Sequence, residues 1–228
     1  MIDERVAESV PFLRHLSAAR RKRLLAASTI ERYRRGTALF HQGARAECVW
    51  IILEGWVHLV RHPDNADRSR AVVLFTITPD EVLCGISAIA SGTYNLSAIA
   101  GTECQVVRIP GTLFKDALLH EPGFAFHALR LCARRLQHIA EQYGAMAEPV
   151  PSRIIRAILR LQQQFGRTLP VTHRELAQMS WTTTESAIRT VRQMKRRGYV
   201  TGTRGRLTVT KPDELATILL RRDGEVNV

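Results

Sequence analysis

Glu185 and Arg189 stand four residues apart, and a helix brings such a pair onto one face. A carboxylate can accept a hydrogen bond from cytosine N4, and a guanidinium can donate two to guanine O6 and N7. The two therefore suit neighbouring base pairs of a duplex. Thr184 and Ser186 beside them bring hydroxyls for weaker base contacts. Thr182, Thr183, Arg192, Lys195, Arg204 and Arg206 bring donors and cations of the kind that bind phosphate oxygens.

Residues 171–200 must supply the elements that position this group. Thr172 is a natural N-cap for a first helix over 173–179, with Glu175 in its first turn. Ser180 to Thr182 connect it to a second helix, capped by Thr183 and running from Thr184 to about Arg197. On that helix Ala187, Ile188, Val191 and Met194 recur at helical spacing and predict a buried stripe. Small Ala177 sits where the two helices approach. This is the helix-turn-helix pattern, whose second helix presents its first residues to base edges in the major groove. An ordinary helical hairpin with a solvated Arg/Lys face shares much of it. The next residues narrow the choice: 198–200, the glycine-rich basic 201–206 and 207–209 read as strand, turn, strand. The expectation is a winged helix-turn-helix.

Charge is distributed in the same sense. The 228 residues carry a net +12, and the stretch from 151 onward holds 15 Lys+Arg against 6 Asp+Glu. Residues 1–150 hold 18 against 15. Positive charge gathered around the hairpin is the footprint of phosphate binding. No stretch has the length of a membrane-spanning helix, and the N-terminus lacks the apolar run of a signal peptide. Cys48, Cys84, Cys104 and Cys132 are scattered with no CxxC spacing. The reading is a cytoplasmic protein with reduced thiols, no membrane and no cofactor.

Apolar runs at 38–40, 49–53, 56–60, 72–77 and 105–109 alternate with turn residues after a short helix over 18–27. They predict an antiparallel barrel or jelly roll. From 112 to 146 the pattern becomes helical, interrupted near Glu121-Pro122. Within it Ala125, Leu129, Cys132, Leu136, Ile139, Tyr143 and Met146 keep the alternating spacing of a helix–helix seam. A helix packed on its own barrel would show a similar stripe. Glu148-Pro149-Val150-Pro151 then predicts a hinge, with Ser152 capping a helix over 153–165.

This order reaches motifs that resemble the Crp/Fnr family of bacterial transcription regulators, from Val10 to Leu220. The resemblance is carried by Val10-Pro11-Phe12-Leu13 with Leu16-Ser17, by the spaced glycines of Gly36 to Gly43 and by Leu53-Glu54-Gly55-Trp56-Val57. Ala133-Arg134-Arg135-Leu136 and the run from Leu169 to Ala177 complete it. It implies an α+β chain: an N-terminal antiparallel β-roll, a cyclic-nucleotide-binding-like jelly roll, over 1–120, a dimerisation helix over 121–148 and a winged helix-turn-helix over 149–228. It also implies a homodimer joined at Leu129, Cys132, Leu136, Ile139, Tyr143 and Met146. The partner would be double-stranded DNA with a palindromic site, and RNA polymerase if the protein is an activator. The protein would not be an enzyme. The alternative is a jelly-roll small-molecule-binding protein or enzyme with a basic nucleic-acid-binding tail.

Two departures from the family pattern carry weight. Members that bind cyclic AMP have a Glu for the ribose hydroxyl and an Arg for the cyclic phosphate; here those positions hold Ile86 and Leu96. Gly85 and Ser97 keep the pattern, so the resemblance implies a degenerate effector pocket at Gly85, Ile86, Leu96 and Ser97. Ile139 and Ala140 stand where the cyclic AMP receptor places base-touching hydroxyls. Iron–sulfur and haem ligand sets are incomplete, with Ile86 at the haem histidine position beside Cys84. His41, His58 and His62 lack the spacing of a metal site, while a redox role for Cys84 or Cys132 stays open. On the second helix, the family's Arg-Glu-Thr-Val-(Ser/Gly)-Arg becomes Thr184-Glu185-Ser186-Ala187-Ile188-Arg189. Losing the first Arg points to a TTGA-like half-site, and Ile188 is the unusual element.

Overall fold

A computed structural model describes residues 10–62, 71–79, 81–83, 87, 89 and 92–223. The chain divides into two compact units, Met1–Ile139 and Ala140–Val228.

The first unit is a roll of two four-stranded antiparallel sheets. One sheet has the order β1 (Thr29–Tyr33), β8 (Cys104–Pro110), β3 (Cys48–Glu54), β6 (Val82–Leu83). The other runs β2 (Ala38–Phe40), β7 (Ser97–Ala100), β4 (Val57–Arg61), β5 (Val72–Ile77). Strand β3 explains the layering. Successive side chains point to opposite faces, so Val49 and Ile51 join one cluster with Phe12, Leu13, Phe114 and Phe124. Trp50 and Ile52 join another inside the roll with Phe40, Leu59, Tyr94 and Ala98. Both faces are buried, which is why the strand reads as one continuous apolar run. Burying each such side chain contributes roughly 1.5–3 kcal/mol. Helices α1 (Ala18–Ala26) and α2 (Gly111–His120), with a 3₁₀ turn at Pro11–His15, accompany the roll.

Helix α3 (Pro122–Gly144) comes next, ending in a 3₁₀ turn at Ala145–Ala147. The predicted break at Glu121-Pro122 is present, with Glu121 in an extended conformation as the C-cap of α2. The helix after it differs from expectation. α4 spans Val150–Phe165, its N-cap is Pro149, and Pro151 lies in its first turn. A proline costs nothing there, because the first turn has no acceptor for its missing N–H. Ser152 is therefore not the cap; it lies inside the helix and is buried. Glu148 precedes it, and Arg156 grips that carboxylate through Nε at 2.8 and 2.9 Å and Nη2 at 2.8 Å.

The second unit continues with β9 (Thr168–Leu169), α5 (His173–Met179), α6 (Thr184–Arg196), β10 (Val200–Thr203), β11 (Arg206–Val209) and α7 (Pro212–Asp223). Its core holds Ile154, Ile158, Leu161, Leu176, Val191 and Leu215. Among the described residues no helix is long and apolar enough to cross a membrane.

Candidate nucleic-acid interface

Thr172 caps α5 in a complete capping box: its Oγ1 accepts the Glu175 N–H at 3.2 Å, and the Glu175 carboxylate accepts the Thr172 N–H at 2.7 Å. Such a cap is worth about 1 kcal/mol. After Met179 the chain reverses through Ser180 and Trp181, and the Thr182 N–H returns to the Ala177 carbonyl at 3.0 Å. That bond is half of a Schellman closure, whose turning residue is ordinarily glycine. Here it is Trp181 with φ 49°, a strain of about 1–2 kcal/mol. Arg153 on α4 steadies it by donating to the Trp181 carbonyl at 3.1 Å. Thr183 then caps α6, accepting the Ser186 N–H at 3.2 Å and donating to Ser186 Oγ at 3.1 Å.

On α6 the buried residues are Ala187, Thr190, Val191 and Met194. Ile188 is not among them, contrary to the apolar stripe expected from spacing: it is 36 % exposed, and Thr190 fills the inward position at 5 %. The opposite face carries Glu185, Arg189, Arg192 and Arg196, all exposed. Neither Glu185 nor Arg189 is held by a hydrogen bond or ion pair to another described residue. Ser186 is half-buried and its hydroxyl is engaged by Thr183; Thr184 is exposed. Thr182 is half-buried. Arg196 joins this face without having been expected from spacing, although a helical wheel puts it beside Glu185.

The wing closes with Val200 opposite Val209 and Thr203 opposite Arg206, leaving Arg204-Gly205 as the loop. Arg204 and Arg206 are exposed. Gly202 has φ 137°, and a Cβ there would collide with the Arg206 carbonyl, so no other residue fits. Lys195 donates from Nζ to the Gly202 carbonyl at 2.8 Å. It pins the wing to α6 and leaves two of its protons for other acceptors. Burial, and then the Lys195 charge, hold the His173 imidazole below its ordinary pKa. Strand β9 pairs with β11 as a third strand that the sequence pattern does not reveal.

Residues 30–121 match the cyclic nucleotide-binding domain, and residues 152–218 match the Crp-like helix-turn-helix domain. The chain belongs to the Crp/Fnr family. A CRP-like cAMP-activated global transcriptional regulator of Mycobacterium tuberculosis is 26 % identical over 175 residues, covering 73 % of this chain and 77 % of that protein. FixK2 from Bradyrhizobium japonicum superposes with a TM-score of 0.74 at 15 % identity, covering 83 % of this chain and 96 % of that one. A crp/fnr-family protein from Eubacterium rectale gives 0.75 at 17 % identity, over 93 % and 99 %. Crp/Fnr proteins are transcription regulators, and the α+β roll with its C-terminal helix-turn-helix is their architecture.

Within this Crp/Fnr chain the expected seam residues separate into two groups. Leu129, Leu136, Ile139, Tyr143 and Met146 on and after α3 are exposed. Cys132 is half-buried instead, lining a small cavity in its own unit with Phe12, Val82, Phe114, Leu131 and Arg135. Phe126, at 63 % exposure, extends the exposed set by one turn toward the N-terminus. In the effector region Ser97 is buried, and its Oγ accepts the Gln42 N–H at 2.9 Å. Leu96 packs on the cluster inside the roll. Gly85, Ile86 and Cys84 lie outside the described residues. The other thiols are structural: Cys104 Sγ donates to the Trp56 carbonyl at 3.0 Å, and burial pushes the Cys48 thiol up. His41, His58 and His62 belong to no group of three metal-binding side chains among the described residues.

Proposed function

We propose that this protein is a sequence-specific DNA-binding transcription regulator that acts as a homodimer on a palindromic site. One observation carries the reading. Glu185 and Arg189 stand exposed on α6 with no partner among the described residues, at the head of a basic face, while the opposite face is packed. Base contacts come from Glu185, Arg189, Ser186 and Thr184, and phosphate contacts from Thr182, Thr183, Arg192, Lys195, Arg204 and Arg206. The functional parts are the β-roll over 1–120, the dimerisation helix over 121–148 and the DNA-binding domain over 149–228. The exposed apolar side chains on α3 supply the dimer contact, since monomeric proteins seldom leave such a stripe in water. The protein works in the cytoplasm by binding, without catalysis, and meets RNA polymerase if it activates.

The roll does not bind cyclic AMP tightly. Leu96 offers no charge to a cyclic phosphate, and its side chain packs on the cluster inside the roll. Selection of bound duplexes from a random pool tests the main reading. An inverted repeat with half-sites about one helical turn apart is the expected outcome. A pool that stays random after repeated rounds would contradict it.

A further inference from the structure

We infer that Ile188 reads sequence by seating its side chain on the 5-methyl group of a thymine in each half-site. This contact rests on the proposed DNA binding and adds a further chemistry to it.

On α6 two side chains are inverted. A polar Thr190 is turned into the packed side and a branched aliphatic Ile188 is turned out, at 5 % and 36 % exposure. Swapping them would bury more apolar area at about 25 cal/mol per Å², so folding alone does not favour the arrangement. Single exposed aliphatic residues are ordinary on a protein surface. The position of this one is not. At 3.6 residues per turn, Ile188 lies roughly 60° around the axis from Glu185 and about 40° from Arg192. It is thus set among the charged side chains of the exposed face, one residue before Arg189. Among the described residues beyond α4's start, Ile188 is the one large apolar side chain that is exposed.

A duplex explains this placement. In the major groove thymine presents a methyl group where cytosine presents only hydrogen, so an apolar side chain there discriminates the two bases. The hydrogen-bonding neighbours cannot make that distinction by contact with carbon. Glu185 and Arg189 would read polar edges, and Ile188 would read the methyl beside them.

Deoxyuridine in place of thymine removes that methyl and leaves every hydrogen-bonding group unchanged. Each thymine of the selected site is replaced in turn, symmetrically in both half-sites, and affinity is measured by fluorescence anisotropy. The wild-type protein should lose affinity at one position, by roughly fourfold per methyl and about 16-fold for the pair, the effect of one buried methylene-sized group. Ile188→Ser should bind the thymine and deoxyuridine duplexes equally, and Ile188→Val should retain part of the preference. Because residue 188 is exposed, melting temperatures of both variants should match the wild type, which separates contact from folding. Equal wild-type binding to all thymine and deoxyuridine duplexes would overturn the inference while leaving DNA binding intact. An unchanged deoxyuridine penalty in Ile188→Ser would do the same. A wild-type protein that selects no site at all would overturn the regulator reading and this inference together.

Discussion

Leu96 shows how a single side chain limits what the roll can hold. Leu96 rests on the interior cluster of Phe40, Trp50 and Tyr94, while the Ser97 Oγ accepts the Gln42 N–H and keeps its own proton to donate. A cyclic phosphate beside Leu96 would find no cation on that side chain, and a buried anion left unpaired costs several kcal/mol. Isothermal titration with cyclic AMP should therefore give no saturable heat into the high micromolar range. Micromolar binding would show that another cation completes the site. The same scale shows where sequence patterns stop. Ile188 and Thr190 are two residues apart, and helical periodicity assigns the apolar one inward by default. Only packing against α5 and the rest of the domain decides which of the two faces water.

Among the elements, α5 and α6 are legible to within about a residue because their ends are written in the sequence. Thr172, Glu175 and Thr183 make the predicted caps with their own side chains. β1 is not legible: Thr29–Tyr33 is an edge strand with mostly exposed side chains, so no apolar run marks it. β6 and β9 are two residues each and exist through pairing with β3 and β11. The cap of α4 falls at Pro149 and not at Ser152, because a proline ends a helix in mid-course yet begins one comfortably, as Pro149 and Pro151 do. For α3 the heptad spacing finds the right helix but cannot tell which flank of the stripe meets its own roll, hence Cys132 turning inward. The exposed flank makes a direct prediction. Leu136→Glu puts a charge on a side chain 69 % exposed in the single chain, so the fold should survive. A dimer that buries this position should dissociate, lowering affinity for an inverted repeat by at least tenfold. Sedimentation equilibrium checks it, and an unchanged mass would remove α3 from the interface.

Across the whole molecule, composition matches a division of labour. The first 150 residues, whose charges nearly balance, build the roll and its helices, and the strongly basic remainder presents α6 and the wing. Basic charge alone would give salt-sensitive binding to any duplex. In the proposed complex, specificity comes from the few side chains on α6 placed to reach base edges, repeated twice by the symmetry of the proposed dimer. Arg189 is the sharpest test of that statement. Affinities of wild type and Arg189→Ala are measured on the selected inverted repeat and on every single symmetric base-pair change within it. The expected result is a loss of ~1–3 kcal/mol on the selected site and a variant indifferent to one base pair per half-site. A loss of equal size on every sequence would contradict it, because Arg189 would then be holding phosphate.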